Sequence, residues 1–140
     1  MTTAELLHQW FESVWNNAST ESIDELLSKN VLIHGLDGTG TTEGPASFHE
    51  FYNNFKKNFS EVNVDVSVLT HDENYAAATC TVNARSITGK EISFSGITIA
   101  RFKNKKVEEF WNNYDFLKMY QQLGHILVEP IEEKENKPIG

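Results

Sequence analysis

An α+β fold is predicted, a cone in which three N-terminal helices pack on a curved, mostly antiparallel sheet and enclose a pocket. Three observations predict it. The apolar period changes from 3.6 to 2 near residue 60. The helical segments gather before an antiparallel meander, which places helices on one side of a sheet. The clearest helix carries an aromatic stripe, and a sheet curving around one long aromatic helix leaves a cone-shaped cavity between them.

Each element has a local reason. Leu7, Trp10, Phe11 and Val14 repeat at i, i+3, i+4 and i+7, so residues 4–16 read as an amphipathic helix. Ser19 is a capping residue for a second short helix with Ile23, Leu26 and Leu27 on its apolar side. The stretch NVLIHG reads as a short strand, and GLDGTGTTEGP as a loop ending at Pro45, a good first-turn residue. Phe48, Phe51, Tyr52, Phe55 and Phe59 then fall on one helical stripe. Val62, Val64, Val66 and Val68 alternate with polar residues, the mark of a strand with one apolar face. YAAATCTVNARS and EISFSGITIARF read as strands joined by a turn at Thr88-Gly89, and KNKK turns the chain into a last strand, VEEFWNNYD. A short helix over 116–123 ends at Gly124. Residues 1–127 therefore form a single domain. Residues 128–140, polar and with two prolines, read as a loosely attached tail.

Composition narrows the function. A chain of 140 residues suits one core, and nine Phe, four Tyr and three Trp can fill it or line a pocket for a flat apolar ligand. The formal net charge is −8, and residues 1–54 hold eight acids against one Lys, a surface that disfavours nucleic acid. The single Cys80 rules out an internal disulfide. Without a leader or a membrane-length apolar run, a cytoplasmic protein with no membrane partner is expected. The histidines show no ligand spacing and the glycine loop no phosphate-binding pattern, so neither a metal nor a cofactor is expected.

Chemistry is sought in the last strand. Glu109, Trp111, Asn113 and Asp115 share one face of it, and Glu108, Phe110, Asn112 and Tyr114 share the other. If the first set lines the cavity, it offers an aromatic wall, an amide and a carboxylate in line. Such a set can hold a carbonyl compound and move a proton beside it. His34 could add a polar group, and Trp15 and Phe55 apolar lining. Phe110 and Tyr114 would then face outward and make a surface for a homodimer. Asp115 also stands where an N-cap stands, so a purely structural role is open. A third arrangement, an Asp–Arg–Asp cluster of the epoxide-hydrolase kind, would have to use Arg85.

The segments FESVWNNASTESIDELLSKNVLIHG, GPASFHEFYNNFKKNF and FSGITIARFKNKKVEEFWNNYDFLKMYQQLG resemble the SnoaL-like polyketide cyclases of the nuclear transport factor 2-like superfamily. The most specific piece is W-x-x-x-D followed by a short helix and QLG. The resemblance covers nearly all of residues 5–124. It implies the same cone, usually paired as a dimer through the outer sheet face, and cofactor-free chemistry. It also implies that Asp115 is the acid/base of an aldol-type ring closure or isomerisation of an apolar carbonyl compound. Where many members carry a histidine, this chain has Thr98, which is grouped here with the substrate-contacting residues. The alternative function is a non-catalytic module that binds a hydrophobic small molecule.

Overall fold

The computed structural model describes residues 1–36 and 40–124. The tail expected over 128–140 lies outside the described residues. The chain opens with α1 (Thr3–Trp10), begun by a capping box in which Thr2 and Glu5 satisfy each other's backbone N–H groups. It passes directly into a π-helical segment (Phe11–Asn16), whose wider turn closes with Asn17 N–H on the Glu12 carbonyl at 2.9 Å. Then come α2 (Glu21–Leu26), β1 (Leu27–His34), β2 (Thr41–Glu43) and α3 (Pro45–Lys56). Four long strands follow, β3 (Phe59–His71), β4 (Tyr75–Ser86), β5 (Glu91–Lys103) and β6 (Lys106–Tyr114), and α4 (Phe116–Gln122) comes last.

Three local expectations change. Ser19 does not cap α2; Thr20 holds the cap position, and the Ser19 hydroxyl meets that of Ser22 at 2.9 Å. Phe59 leaves the helical stripe and opens β3, although its ring still stacks on Phe55 with centroids 4.7 Å apart. Strand β2 lies within the stretch expected as a loop, because its three polar residues carry no apolar alternation.

The strands form one sheet in the order β2-β1-β6-β5-β4-β3. All neighbours are antiparallel except β1 and β6, which run parallel. The helices cover one face. On that face β4 presents Ala76, Ala78, Cys80, Val82 and Ala84, and β5 presents Ile92, Phe94, Thr98, Ala100 and Phe102, all buried. The small alanines let α1 lie close to β4. Around Val64, Val82 and Phe94 the helical layer and the sheet part to leave a cavity. None of the described helices is long and apolar enough to cross a membrane.

Candidate functional site

The space between the layers is a narrow apolar cavity of about 50 Å³ that opens to solvent. Trp10, Phe11 and Trp15 line it from the N-terminal helix. In a regular α-helix five residues turn through roughly 500°, so Trp10 and Trp15 would diverge by roughly 140°. The π-helical turn brings both to the cavity. From α3 come Phe48, Phe51 and Phe55, from the sheet Val62, Val64, Val82, Phe94 and Phe110, and Leu36 and Phe116 stand near the mouth. Beyond them an open groove continues between α3, α4 and the β4–β5 turn, and takes in Ser47, Asn54, Thr88 and Tyr120. Such a lining, aromatic and aliphatic with a few polar groups, suits a small organic molecule.

The polar groups sit together on the sheet, which forms the floor. Thr98, only 1% exposed, donates its hydroxyl proton to Asn112 Oδ1 at 2.9 Å, and its oxygen lies 2.7 Å from the Tyr114 hydroxyl. The Asn112 amide donates to the His34 carbonyl at 3.0 Å. The Cys80 thiol packs against Tyr114 and Thr98. Burial pushes the Tyr114 phenol far above its ordinary pKa, and burial likewise raises that of the Cys80 thiol, against the pull of its polar contacts with Tyr114 and Thr98. At neutral pH these groups are uncharged.

The last strand is turned over relative to the expectation. Phe110, Asn112 and Tyr114 face the cavity, while Glu109, Trp111, Asn113 and Asp115 do not line it. The cause is one residue. Val107 pairs with Phe102 and Glu109 with Arg101, so β6 advances two residues while β5 advances one. Glu108 is the extra residue of a β-bulge, and it reverses the in/out parity for the rest of the strand. Phe110 and Tyr114 are therefore no part of the outer surface.

The other expected site residues divide between the two faces. Trp15 and Phe55 line the cavity, whereas Thr98 does not line it and lies buried beneath, bonded to the lining residues Asn112 and Tyr114. His34 lies on the outer face. Its Nε2 is 2.6 Å from Glu109 Oε2, its Nδ1 2.6 Å from Thr41 Oγ1, and its ring stacks on Trp111 at 5.6 Å. Arg101 completes this cluster on Glu109 at 3.3 Å. The His34 hydrogen bond, then the Arg101 hydrogen bond, hold the Glu109 carboxyl below its ordinary pKa against partial desolvation. Asn113 is exposed. Asp115 is exposed and accepts from the Lys118 backbone N–H at 3.0 Å, the bond of an N-cap on α4. Arg85 pairs with exposed Glu91 at 2.8 Å and, among the described residues, meets no acid pair. Asn112 and Tyr114, on the strand face expected to point outward, line the cavity instead. Their signal was a polar pair spaced by two, opposite Thr98 and Gly96. Among the described residues, no three His, Cys, Asp or Glu side chains gather as a metal site would require.

Comparison with known proteins agrees with this architecture. The sequence profile of SnoaL-like polyketide cyclases matches residues 5–123. No curated protein matches the sequence significantly. Among solved structures, the chain is similar to IdmH of Streptomyces antibioticus, provisionally assigned as a polyketide cyclase. The identity is 16% and the TM-score 0.76, over 89% of this chain and all of that one. A provisionally assigned cyclase of Bacillus cereus is 23% identical, with a TM-score of 0.75 over 87% of this chain and 80% of its own. Another from Acidithiobacillus ferrooxidans is 25% identical, with a TM-score of 0.73 over 86% of this chain and 92% of its own.

Proposed function

Since the chain belongs to the SnoaL-like polyketide cyclase family, a family of small-molecule pocket proteins, we propose that its cavity takes an apolar, ring-bearing small molecule with one polar group, and that it holds this molecule without charge. One observation carries the reading. An aromatic and aliphatic cavity is closed at its floor by Asn112 and Tyr114, neutral side chains that the buried Thr98 hydroxyl joins from beneath. A carboxylate or ammonium ligand would lose its hydration there and meet no counter-charge. Binding is the function this geometry favours. Acid/base turnover by Asp115, with ring closure or isomerisation as its outcome, is the second reading, and it requires substrate to reach the rim where Asp115 caps α4.

The protein is further proposed to pair with a second copy through the outer sheet face. Ile97 and Ile99 stand there 47% and 37% exposed, next to Tyr75 and Trp111.

The test uses Trp10 and Trp15 as reporters. Polycyclic ketones should quench their fluorescence saturably in the wild type and far more weakly in Val82→Phe, which fills the cavity. Non-saturable quenching, or equal quenching in both proteins, would remove the reading. Turnover of the same compounds that falls about 10²-fold in Asp115→Asn would instead establish the second reading.

A further inference from the structure

We infer that Asn112 is the residue that reads the ligand's polar atom, as a hydrogen-bond donor of fixed orientation, and that the Tyr114 hydroxyl plays no donor part. The inference rests on the cavity reading above and adds to it the direction of the hydrogen bond.

The argument starts from an atom with no choice. The His34 backbone carbonyl can only accept, so the atom of the Asn112 side chain lying 3.0 Å from it must be the nitrogen. The other amide atom, the oxygen, is therefore the one 2.9 Å from Thr98 Oγ1, and it too can only accept. The one proton of Thr98 is committed to that oxygen. Tyr114, 2.7 Å from the same Thr98 oxygen, must then be the donor of that pair. Its proton points along the floor and not into the cavity. Every direction in the chain Tyr114 → Thr98 → Asn112 → His34 follows from one backbone carbonyl. The chain also ends there, because an amide does not pass a proton on. It orients groups and relays nothing.

What remains for a ligand follows by subtraction. Asn112 keeps its second N–H on the face that lines the cavity. Tyr114 keeps lone pairs, already crowded by the Cys80 thiol. The donor of the floor is thus the amide. A ligand atom placed there has to accept, and a hydrocarbon of the same shape leaves that N–H unsatisfied. Asn112 cannot turn over to serve a donor ligand without setting its side-chain oxygen against the His34 carbonyl, two acceptors with no proton between them.

The test compares 9-fluorenone with fluorene, which share a shape and differ in the acceptor. The wild type should bind fluorenone about three- to tenfold tighter. The carbonyl stretch of the bound ketone should fall below its value in hexane. Both effects should be lost in Asn112→Ala. In the wild-type protein one Asn112 Nδ2 proton should move downfield on fluorenone binding, a readout that holds even if Asn112→Ala does not fold. Equal affinities with an unshifted carbonyl stretch would overturn the inference and leave the cavity reading standing. A carbonyl shift that survives Asn112→Ala and vanishes in Tyr114→Phe would place the donor on Tyr114 and overturn it as well. Failure of both compounds to bind would overturn both readings.

Discussion

Gly96 lies directly across the β5–β6 ladder from Tyr114, and the phenol ring occupies the space where a side chain at 96 would be. That vacancy lets the hydroxyl reach Thr98, two residues further along β5. A Cβ at 96 would come within 2.4 Å of Tyr114 Cγ and 2.5 Å of the Asn113 carbonyl oxygen. Neither atom can retreat freely, since one belongs to a packed ring and the other to the backbone. We expect Gly96→Ala to destabilise the fold by about 1–3 kcal/mol, as overpacking does. Urea unfolding with an unchanged slope checks this.

Thr98 and Tyr114 should be energetically coupled. Thr98→Val strands Asn112 Oδ1 and the Tyr114 proton together and should cost about 1–3 kcal/mol. Tyr114→Phe removes only a donor and should cost about 1 kcal/mol. A double-mutant cycle by chemical denaturation should show the double variant less destabilised than the sum, by about 0.5–1.5 kcal/mol. Strict additivity would mean that the two hydroxyls do not share a proton.

Stability should depend on acid through Glu109. Its folded pKa is depressed, first by the hydrogen bond from His34. A depressed carboxylate contributes stability above its unfolded pKa and loses it as the pH falls through the folded value. The contribution is thus in place at neutral pH and fades below the usual carboxylate range. Between pH 7 and the acid limb, Glu109→Gln should lose less stability than the wild type, as measured by urea unfolding at each pH.

Asp115→Ala should remove the cap of α4 and cost about 1 kcal/mol, while Asp115→Asn should stay within a few tenths, because Asn caps as well. Thermal melting of the two variants separates the cap from a carboxylate strained by burial, for which removal of the charge would raise the melting temperature.

Ile97→Asp, on the outer sheet face, should convert a species of about 32 kDa, twice the 15.9 kDa chain, into a monomer in sedimentation at micromolar concentration. A wild type that is monomeric to begin with would end the pairing proposal.

Much of this architecture was written in periodicities. The Phe48–Phe55 stripe, the valine alternation of β3 and the Gly89 turn each have a local cause, so the chain shows them without tertiary help. The orientation of β6 was not legible. Both of its faces mix aromatic and polar residues, and alternation gives parity but no sign. Counting inward from buried Val107 assigns Glu109, Trp111 and Asn113 to the cavity, and only the bulge at Glu108 reverses the count. The π-helical turn was hidden for a related reason, since Leu7, Trp10, Phe11 and Val14 already satisfy an α-helical pattern and Trp15 adds only one more residue.

The parallel pairing of β1 with β6 also bears on the order of folding. Strands β3 to β6 meet neighbours that are close in sequence and can pair as successive hairpins. The β1–β6 seam instead joins residues such as Asn112 and His34, 78 positions apart. Closing that span carries most of the loop entropy, so the seam should form late and open first. The floor of the cavity is tied across that same seam. Slow hydrogen exchange should therefore concentrate in β4 and β5, and a ligand that bridges the seam should slow exchange in β1 more than in the meander.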